Sequence, residues 1–369
     1  MKNTKKAALL LMLCALVLTL SSCYDFLDIR YQMIVYGLAV DKQDDMYHLS
    51  AEVIKTAGES PEEGKANSII YTASGDSIYS AMNNLYQSAD KMFYWGHLEV
   101  VVVSRSVVDQ NFAGVIDILT REPQIYLNTR LLVCTGDPAE LLRADVQQGQ
   151  IATKTLKDIL QTSRLRGERL TNHIWQANRQ MDYGSYTLNL PLAELDEESK
   201  TPKITGTVII KDGRIFQIFG QQDMQTYLFL QNRLKGGYLA TFPVVPGVET
   251  SLEIIKNDCS MSYKIENGQG IAKYRIVLFV SIFEISRELD FKNPDTRVQL
   301  QNATAQHIEA RLREFTDQNP ADIYGYSQKI AQNHPELAQT GAENVAKVAD
   351  NTKVEFEINV ILSESRMMI

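Results

Sequence analysis

The sequence predicts an α+β, multi-domain protein in which mixed and antiparallel sheets pack against helices, with one long helix in the C-terminal domain. Apolar runs of strand length alternate with helical patterns through the first half of the chain. Strand-like runs follow one another directly between residues 249 and 283, and residues 296–315 keep a helical apolar face. With 369 residues, of which 44% are hydrophobic, the chain is long enough to bury two or three cores.

The chain begins with the features of a secretory signal. Lys2, Lys5 and Lys6 form a basic start, and the uncharged stretch 7–20 is short for a membrane-spanning helix of ~20 residues. Leu-Ser-Ser-Cys at 20–23 resembles the bacterial lipobox, in which the cysteine receives a diacylglyceryl group before cleavage. We interpret residues 1–22 as a signal peptide and Cys23 as the lipidated residue. The alternative is an uncleaved amphiphilic anchor, and both place the rest of the chain outside the cytoplasm.

The charge of the chain limits how it meets a membrane. Removal of residues 1–22 takes away three lysines and no acid, so the formal charge falls from −8 to −11. An acidic protein is repelled by anionic head groups and by nucleic-acid phosphates. We therefore expect attachment through the diacylglyceryl cysteine and no nucleic-acid partner.

The four cysteines do not read as a disulfide framework. Cys14 leaves with the signal, and Cys23 is the predicted lipid site, so Cys134 and Cys259 remain. Cys134 ends an apolar run, which predicts a buried strand thiol, and Cys259 lies in a polar stretch. A disulfide between them is an alternative in an extracytoplasmic protein. We expect two free thiols and a fold held by its cores.

The first predicted domain, residues 23–195, mixes strands and helices. About ten residues separate Cys23 from the first strand, which at ~3.3–3.6 Å per residue keeps the domain within roughly 35 Å of the bilayer. The runs 34–40 and 47–54 form a predicted hairpin with His48 facing outward. Further strands are predicted at 69–72, 98–103, 129–135 and 186–192, and helices at 76–89, 112–119, from 138, at 153–163 and at 171–180.

A middle domain is predicted over residues 196–250, beginning at the acidic turn 194–198. Strands at 203–210 and 214–219 flank Asp212-Gly213, a strong hairpin signal. A helix at 223–234 is predicted to end at Gly236-Gly237.

The C-terminal domain is predicted over residues 251–369. Three consecutive strand-like runs lie at 249–256, 259–266 and 272–283, with a turn at Asn267-Gly268. The long helix follows, and after it come a second helical segment from Pro320 and a closing strand at 353–362. The predicted buried side of the long helix carries Val298, Ala305, Ile308 and Leu312.

The usual catalytic and metal-binding spacings are absent from the sequence. There is no Gly-x-Ser-x-Gly elbow, phosphate-binding glycine loop, His-Glu-x-x-His or Cys-x-x-Cys. Asp41, Gln43 and Asp45 only superficially resemble a calcium loop, and Glu197-Glu198 reads as a solvated turn. We therefore predict no catalytic residue, no metal ligand and no cofactor.

Two aromatic clusters leave the choice between packing and ligand or partner contact open. For Phe93-Tyr94-Trp95 we favour packing. Tyr324 and Tyr326 follow Asn319-Pro320 and could lie in a surface loop that meets a partner.

Several stretches in order together resemble one known family. They are Cys23-Tyr-Asp, Gly37 to Lys42, Tyr71 to Gly75 with Ile78 and Ala81, Gly96-His97-Leu98, Arg121-Glu122-Pro123, Gly206 to Gly213, Ala321 to Tyr326 and His334-Pro335. They resemble the Ger(x)C family, the lipoprotein C subunits of spore germinant receptors, over nearly the whole chain. The family's Val-Gly after the hairpin is Gln217-Ile218 here, and its Glu-Thr pair is Gln225-Thr226.

The resemblance implies a location and partners. It implies an α+β, multi-domain lipoprotein on the outer face of the spore inner membrane, lipidated at Cys23. There it would act beside an A subunit and a transporter-like B subunit to help nutrients trigger germination. The family offers no catalytic residues to carry over.

Two other function classes compete with this interpretation. A solute-binding lipoprotein of a transporter shares the signal and the anchor, but its lobes alternate strand and helix around parallel sheets. The consecutive strands between 249 and 283 count against it. An anchored enzyme is disfavoured by the missing motifs.

Overall fold

The computed structural model describes most of the chain beyond the predicted signal. The described residues are 29–54, 68–144, 146, 151–165, 168, 172–181, 187–245, 248–286, 289–319 and 322–363, together with Lys6 and Met12. Cys23 and nearly all of the predicted signal peptide 1–22 lie outside them. So do residues 56–67 and Pro320.

Ten strands of the described chain form the first sheet. They are β1 (Gln32–Gln43), β2 (Met46–Ile54), β3 (Ser68–Gly75), β4 (Met92–Tyr94), β5 (Val100–Ser104), β6 (Arg130–Cys134), β7 (Asn172–His173), β8 (Thr187–Leu195), β9 (Pro202–Lys211) and β10 (Arg214–Gly220). Eight run in the order β10-β9-β8-β6-β5-β1-β2-β3, while β4 pairs with β1 and β7 with β6. The centre β8-β6-β5-β1 is parallel, and antiparallel hairpins extend it on both sides.

Helices cover both faces of this sheet. They are α1 (Ile78–Gln87), α2 (Arg105–Arg121), α3 (Pro138–Arg143), α4 (Ala152–Leu165) and α5 (Ile174–Met181). The predicted stripe of α1 is confirmed, since Ile78, Ala81, Met82 and Leu85 are buried. Its first turn is capped by Ser77, whose hydroxyl accepts a hydrogen bond from the Ser80 amide at 3.1 Å.

The Val-rich strand β5 shows how the first sheet is built. Val101 and Val103 pack with α1, α2 and α5 in one core, while Val100 and Val102 pack with α3 and α4 in a second core. Successive side chains of a strand point to opposite faces, so a strand covered on both faces is apolar throughout. The prediction of a fully buried strand here is confirmed.

The second sheet has four strands in the described chain, and helices lie beside it. The strands are β11 (Gly237–Val245), β12 (Val248–Glu266), β13 (Gln269–Ile285) and β14 (Thr352–Leu362), and the helices are α6 (Gln221–Leu230), α7 (Pro294–Gln318), α8 (Tyr326–Asn333), α9 (Pro335–Ala338) and α10 (Ala342–Asp350). The strand order follows the chain, with β14 parallel to β13 and the other pairs antiparallel. The core of this sheet continues through α6 into the second core of the first sheet.

Both predicted hairpin turns are confirmed by the backbone. Asp212 and Gly213 have φ of 50° and 80°, and Asn267 and Gly268 have φ of 52° and 79°. Two successive positive φ values belong to the type I′ turn, whose twist matches that of the flanking strands.

The helix before the second sheet ends earlier than predicted. It stops at Leu230, and Asn232 with φ 55° turns the chain, so the predicted cap at Gly236-Gly237 was wrong. The Asn232 side chain is held there because its Oδ1 accepts a hydrogen bond from the Cys259 amide at 3.0 Å. Asn tolerates the left-handed conformation and can end a helix as glycine does.

The strand count of the second sheet also differs from the prediction. The runs at 249–256 and 259–266 are one strand, β12, and β11 was not predicted. Asn257 lies in the gap between the two predicted runs, but it is fully buried, and its side-chain amide donates to the Leu234 carbonyl at 3.1 Å. A buried polar residue with such a bond fits within a strand.

The buried side of the long helix α7 is rotated from the predicted one. Val298 is 51% exposed, whereas Leu300, Thr304, Ile308 and Leu312 are buried. Thr304 tolerates burial because its hydroxyl donates to the Leu300 carbonyl at 2.8 Å.

The predicted domain boundaries remain predictions. β8 and β9 pair on either side of the boundary at 195/196, and β12 runs through the one at 250/251.

Candidate functional site

A polar cleft of about 360 Å³ separates the first sheet from the segment that leads into α8. One wall comes from β8, β9 and the end of α6, and the other from residues 322–329 and the inner side of β12 and β13. Polar side chains that line it include Gln180, Asn189, Lys211, Arg233, Asp322 and Lys329. The cleft is lined by residues of both sheets and by the segment that resembles the family motif, so we take it as the candidate site.

Asp322 organises the cleft wall from a buried position. Its carboxylate accepts hydrogen bonds from the Tyr326 and Ser327 amides, both at 2.7 Å. These are first-turn amides of α8, which have no partner within the helix, and a carboxylate there is also favoured by the helix dipole. Gly325, with φ 83°, makes the tight turn that brings the carboxylate back onto them. We call residues 322–326 the wedge.

Tyrosines anchor the wedge to the second sheet. Tyr326 is buried, stacks on Tyr263 with 5.5 Å between ring centroids, and shares a hydrogen bond with the Tyr274 hydroxyl at 3.2 Å. Burial raises the pKa of Tyr274, Tyr324 and Tyr326 well above the ordinary tyrosine value. These hydroxyls therefore stay protonated at neutral pH and act as hydrogen-bonding groups.

On its other side the wedge accepts hydrogen bonds from the first sheet, from α6 and from the residue after α6. The Ile323 carbonyl accepts a hydrogen bond from the Tyr227 hydroxyl at 3.3 Å, and the Tyr324 carbonyl accepts one from the Gln231 side-chain amide at 3.4 Å. The Asp322 carbonyl accepts one from the Thr187 hydroxyl at 3.5 Å. The wedge thus bonds to the first sheet and α6 through its backbone carbonyls, and to the second sheet through the buried Tyr326 side chain.

An ion pair extends the same interface. Asp350, at the end of α10, accepts a hydrogen bond from the Asp322 amide at 2.9 Å, and its carboxylate lies 3.9 Å from Lys211 Nζ on β9. The α8–α10 layer is therefore tied to the last residue before the Asp212-Gly213 turn.

The structure decides the two aromatic questions that the sequence left open. Tyr324 and Tyr326 are buried, so the surface-loop alternative was wrong. The wedge is covered by α6 and the second sheet. Phe93 and Trp95 are also buried, which confirms packing for that cluster. The Trp95 indole donates to the Tyr86 hydroxyl at 2.9 Å.

Sequence reasoning missed the role of Asp322 within a motif that it had singled out. The available signal was an aspartate four residues before the helix start, followed by a glycine. Such an aspartate caps amides one turn ahead when the intervening chain is tightly turned. The partners Tyr227 and Tyr274 are distant in sequence and left no local signal.

The two remaining cysteines are free and buried, as expected. Burial raises the pKa of Cys134 to about 11 and that of Cys259 to about 12. Because the thiolate is the reactive form, neither thiol is poised for nucleophilic chemistry.

The weak calcium pattern around Asp41 belongs to a hairpin turn. Asp41 accepts hydrogen bonds from the Lys42 amide at 2.8 Å, the Gln43 side chain at 2.7 Å and the Ser106 hydroxyl at 3.0 Å. Asp45 is an exposed residue of the turn with φ 59°. Among the described residues, no three His, Cys, Asp or Glu side chains are grouped to hold a metal ion.

Apart from Lys6 and Met12, the described residues begin at Ile29, after the proposed anchor. Cys23 lies outside them, and the chain enters the fold through a short helical turn, Ile29–Tyr31, that leads into β1. Within the described part of the chain, no helix is both long enough and apolar enough to span a membrane.

Comparison with known proteins gives matches along almost the full length. The model of the spore germination protein N-terminal domain matches residues 25–195, and that of the spore germination B3/GerAC-like C-terminal domain matches residues 205–366.

Individual relatives agree with these matches. The putative spore germination protein YfkR of Bacillus subtilis (strain 168) is 26% identical over 285 residues, which covers 73% of this chain and 71% of that protein. Spore germination protein GerQC of Bacillus cereus is 18% identical over 251 residues, covering 67% and 69%. The crystal structure of the GerBC protein matches with a TM-score of 0.54 and 16% identity over 88% of this chain and 96% of that one, which shows a shared fold.

Proposed function

Because the chain belongs to the Ger(x)C family of spore germination proteins, we propose that it is the lipid-anchored C subunit of a spore nutrient germinant receptor. It acts with membrane A and B subunits on the outer face of the spore inner membrane, where nutrients trigger germination. Its attachment is the diacylglyceryl group on Cys23.

The anchor is supported by the sequence before the fold. The basic start, the apolar stretch 7–20 and Leu-Ser-Ser-Cys at 20–23 are in the order that lipoprotein processing requires. Two acyl chains hold a protein stably at a membrane, whereas one holds it only marginally. The short tether then keeps the body at a high local concentration relative to membrane partners, so weak protein contacts are sufficient.

The observation that carries the proposal is the wedge. The segment that resembles the family motif, Ala-Asp-Ile-Tyr-Gly-Tyr at 321–326, is the one whose described residues bond both sheets. A chain whose halves are joined by a buried cap and buried tyrosines presents one fixed surface. This suits a structural partner within a complex.

We propose further that the chain has no catalytic activity of its own. The buried thiols and tyrosine hydroxyls described above have raised pKa values, which hold them in the unreactive protonated form. Glu197 and Glu198 are exposed in the acidic turn, where Asp196 pairs with Lys203 at 2.8 Å.

Gentle solubilisation of spore membranes tests the complex. Purification of the tagged full-length chain should yield the A and B subunits with it, and the Cys23→Ala variant should yield much less of both. Recovery of the acylated, folded chain without either subunit would contradict the proposal.

The polar cleft favours one other function, that of a solute-binding lipoprotein. Lys211, Arg233 and Lys329 would give it affinity for an anionic solute. Calorimetry on the chain from residue 24 to 369 should show no saturable binding of amino acids or sugars. Micromolar binding that Lys329→Gln weakens, and the surface control Lys347→Gln does not, would replace the structural role with solute binding.

A further inference from the structure

Large apolar side chains are exposed together at one end of the first sheet, where its central strands begin. They are Tyr31, Met92, Tyr126, Leu127 and Trp175, and we call them the apolar edge. Such side chains are usually scattered singly over a protein surface, so a contiguous group needs an explanation.

The backbone places these residues side by side. Tyr31 precedes β1, and Met92 opens β4, which pairs in parallel with the first residues of β1. Tyr126 and Leu127 lie in the turn before β6, and the Trp175 amide donates to the Leu127 carbonyl at 3.1 Å.

A further hydrogen bond joins the two groups. The amide of Trp95, just after β4, donates to the Gln124 side chain at 3.1 Å, in the turn that carries Tyr126. Since β1, β5 and β6 are parallel, all these segments lie where the central strands begin.

The exposed side chains of the apolar edge lie within short uncharged ranges. The segments that form it carry no Asp, Glu, Lys or Arg over residues 31–40, 92–98, 123–129 and 174–178. This contrasts with the acidic chain as a whole. Arg30, Lys91, Glu122 and Arg179 flank these ranges. The apolar side chains would enter the head-group region while the flanking charged groups stay in water, which avoids the cost of desolvating charges.

We propose that the apolar edge rests in the interfacial layer of the lipid bilayer that holds the chain. This inference rests on the proposed anchor at Cys23. The chain leaves the fold at this same edge, and about eight residues from Tyr31 back to Cys23 span at most roughly 30 Å. Any bilayer that holds the acylated cysteine is therefore within reach of the edge.

The residue types on the edge suit lipid. Tyr and Trp are enriched at membrane–water interfaces, where the ring is buried and the polar atom stays hydrated. The negative charge of the chain offers no electrostatic attraction to anionic lipid, so aromatic and apolar contact would supply this second attachment. Proteins also bind through Trp and Tyr, but the position beside the tether favours the membrane.

The two tryptophans of the chain make a direct measurement feasible. Trp95 is fully buried, whereas Trp175 is 39% exposed on the edge. The acylated full-length chain is placed in phosphatidylcholine–phosphatidylglycerol vesicles whose acyl chains carry bromine, which quenches tryptophan only at close range. We expect the Trp175 emission to shift to the blue and to be quenched, and Trp175→Phe should remove the quenched component.

Two tyrosines provide a matched pair of variants. Tyr126 is 65% exposed on the apolar edge. Tyr79, which is 66% exposed, lies in the first turn of α1, at the opposite end of the sheet. Tyr126→Ser should reduce quenching of Trp175, and Tyr79→Ser should leave it unchanged, with circular dichroism showing that both variants fold.

The remaining outcomes separate this inference from the proposed function. Mass spectrometry of the same vesicles reports whether Cys23 is acylated. An acylated chain with an unquenched Trp175 overturns the membrane contact and leaves the anchor intact. Protection of Trp175 that needs the A and B subunits assigns the edge to a protein contact and also overturns it. A membrane-bound chain with unmodified Cys23 and residues 1–22 attached overturns both proposals.

Discussion

At the scale of single residues, Asp322 stabilises both the start of α8 and the contact between the two sheets. It caps the first turn of α8, and the turn that it stabilises positions Tyr326 between Tyr263 and Tyr274. Loss of the cap would therefore loosen both the helix and the interface between the sheets.

We expect Asp322→Ala to lower the free energy of unfolding by about 2–3 kcal/mol, since two hydrogen bonds to a buried carboxylate are lost. Denaturant melts of the chain measure this. Asp295→Asn is the control, because Asp295 is an exposed first-turn carboxylate of α7 and should change stability by less than about 0.5 kcal/mol. Equal effects of the two variants would mean that Asp322 is no more than a surface cap.

Asp41 makes stability depend on pH. Burial alone would raise its pKa, but hydrogen bonds from Ser104, the Lys42 amide, Gln43 and Ser106 outweigh burial and lower it. A carboxyl whose pKa is lower in the folded state stabilises the protein above its unfolded pKa, near 4, and this contribution is lost as pH falls through the folded value.

We therefore expect the unfolding free energy to fall between pH 5 and pH 3, and Asp41→Asn to make that fall shallower. Melts at a series of pH values provide the measurement. Glu197→Gln, in an exposed turn, is the control and should leave the slope unchanged. An unaltered slope in Asp41→Asn would exclude Asp41 as a source of acid sensitivity.

Residue-level roles were the least predictable from sequence. Alternation along β2 puts Glu52 on the side opposite Leu49 and Val53, which suggests solvent. The structure buries it completely, because the start of α4 covers that face and the Ala152 and Thr153 amides donate to its carboxylate at 3.0 and 2.9 Å. The helix comes from a hundred residues further along the chain, so no local pattern reports the contact.

At the scale of elements, the sequence predicted correctly those features that depend only on neighbouring residues. The Asp-Gly and Asn-Gly turns and the α1 stripe depend on neighbouring residues, and all are present. The end of α6 and the continuity of β12 were predicted wrongly because Asn232 and Asn257 are positioned by distant backbone groups. Side-chain hydrogen bonds of this kind override turn propensity.

Gly213 offers a test of one such local signal. Its φ of 80° is poorly suited to a β-branched residue, so Gly213→Val should destabilise the protein by about 1–2 kcal/mol. Gly136→Val is the control, because Gly136 has no left-handed φ and a new Cβ there meets only the Cys134 sulfur at an ordinary 4.0 Å. An unchanged denaturation midpoint for Gly213→Val would mean that the hairpin tolerates another turn type.

At the scale of the whole molecule, the proposed anchor and the fold are separable. The described residues form two sheets joined by α6 and the wedge, and Cys23 lies outside them. We expect Cys23→Ala to abolish acylation and to leave the signal uncleaved or the protein mislocalised, while the fold melts as the wild type does. Mass spectrometry of the membrane fraction checks the first point, and an unmodified Cys23 in the wild type would contradict the lipoprotein interpretation.

The pairing of β13 with β14 sets an order of events in time. β14 joins β13 in parallel over eleven registered positions, from Gly270 with Thr352 to Val280 with Leu362, and α7–α10 lie between the two strands in sequence. Until β14 has been synthesised and exported, β13 keeps an open edge that can pair with another chain. The proposed anchor at Cys23 emerges long before this edge closes. Acylation of Cys23 during export would therefore tether the chain before its second sheet is complete.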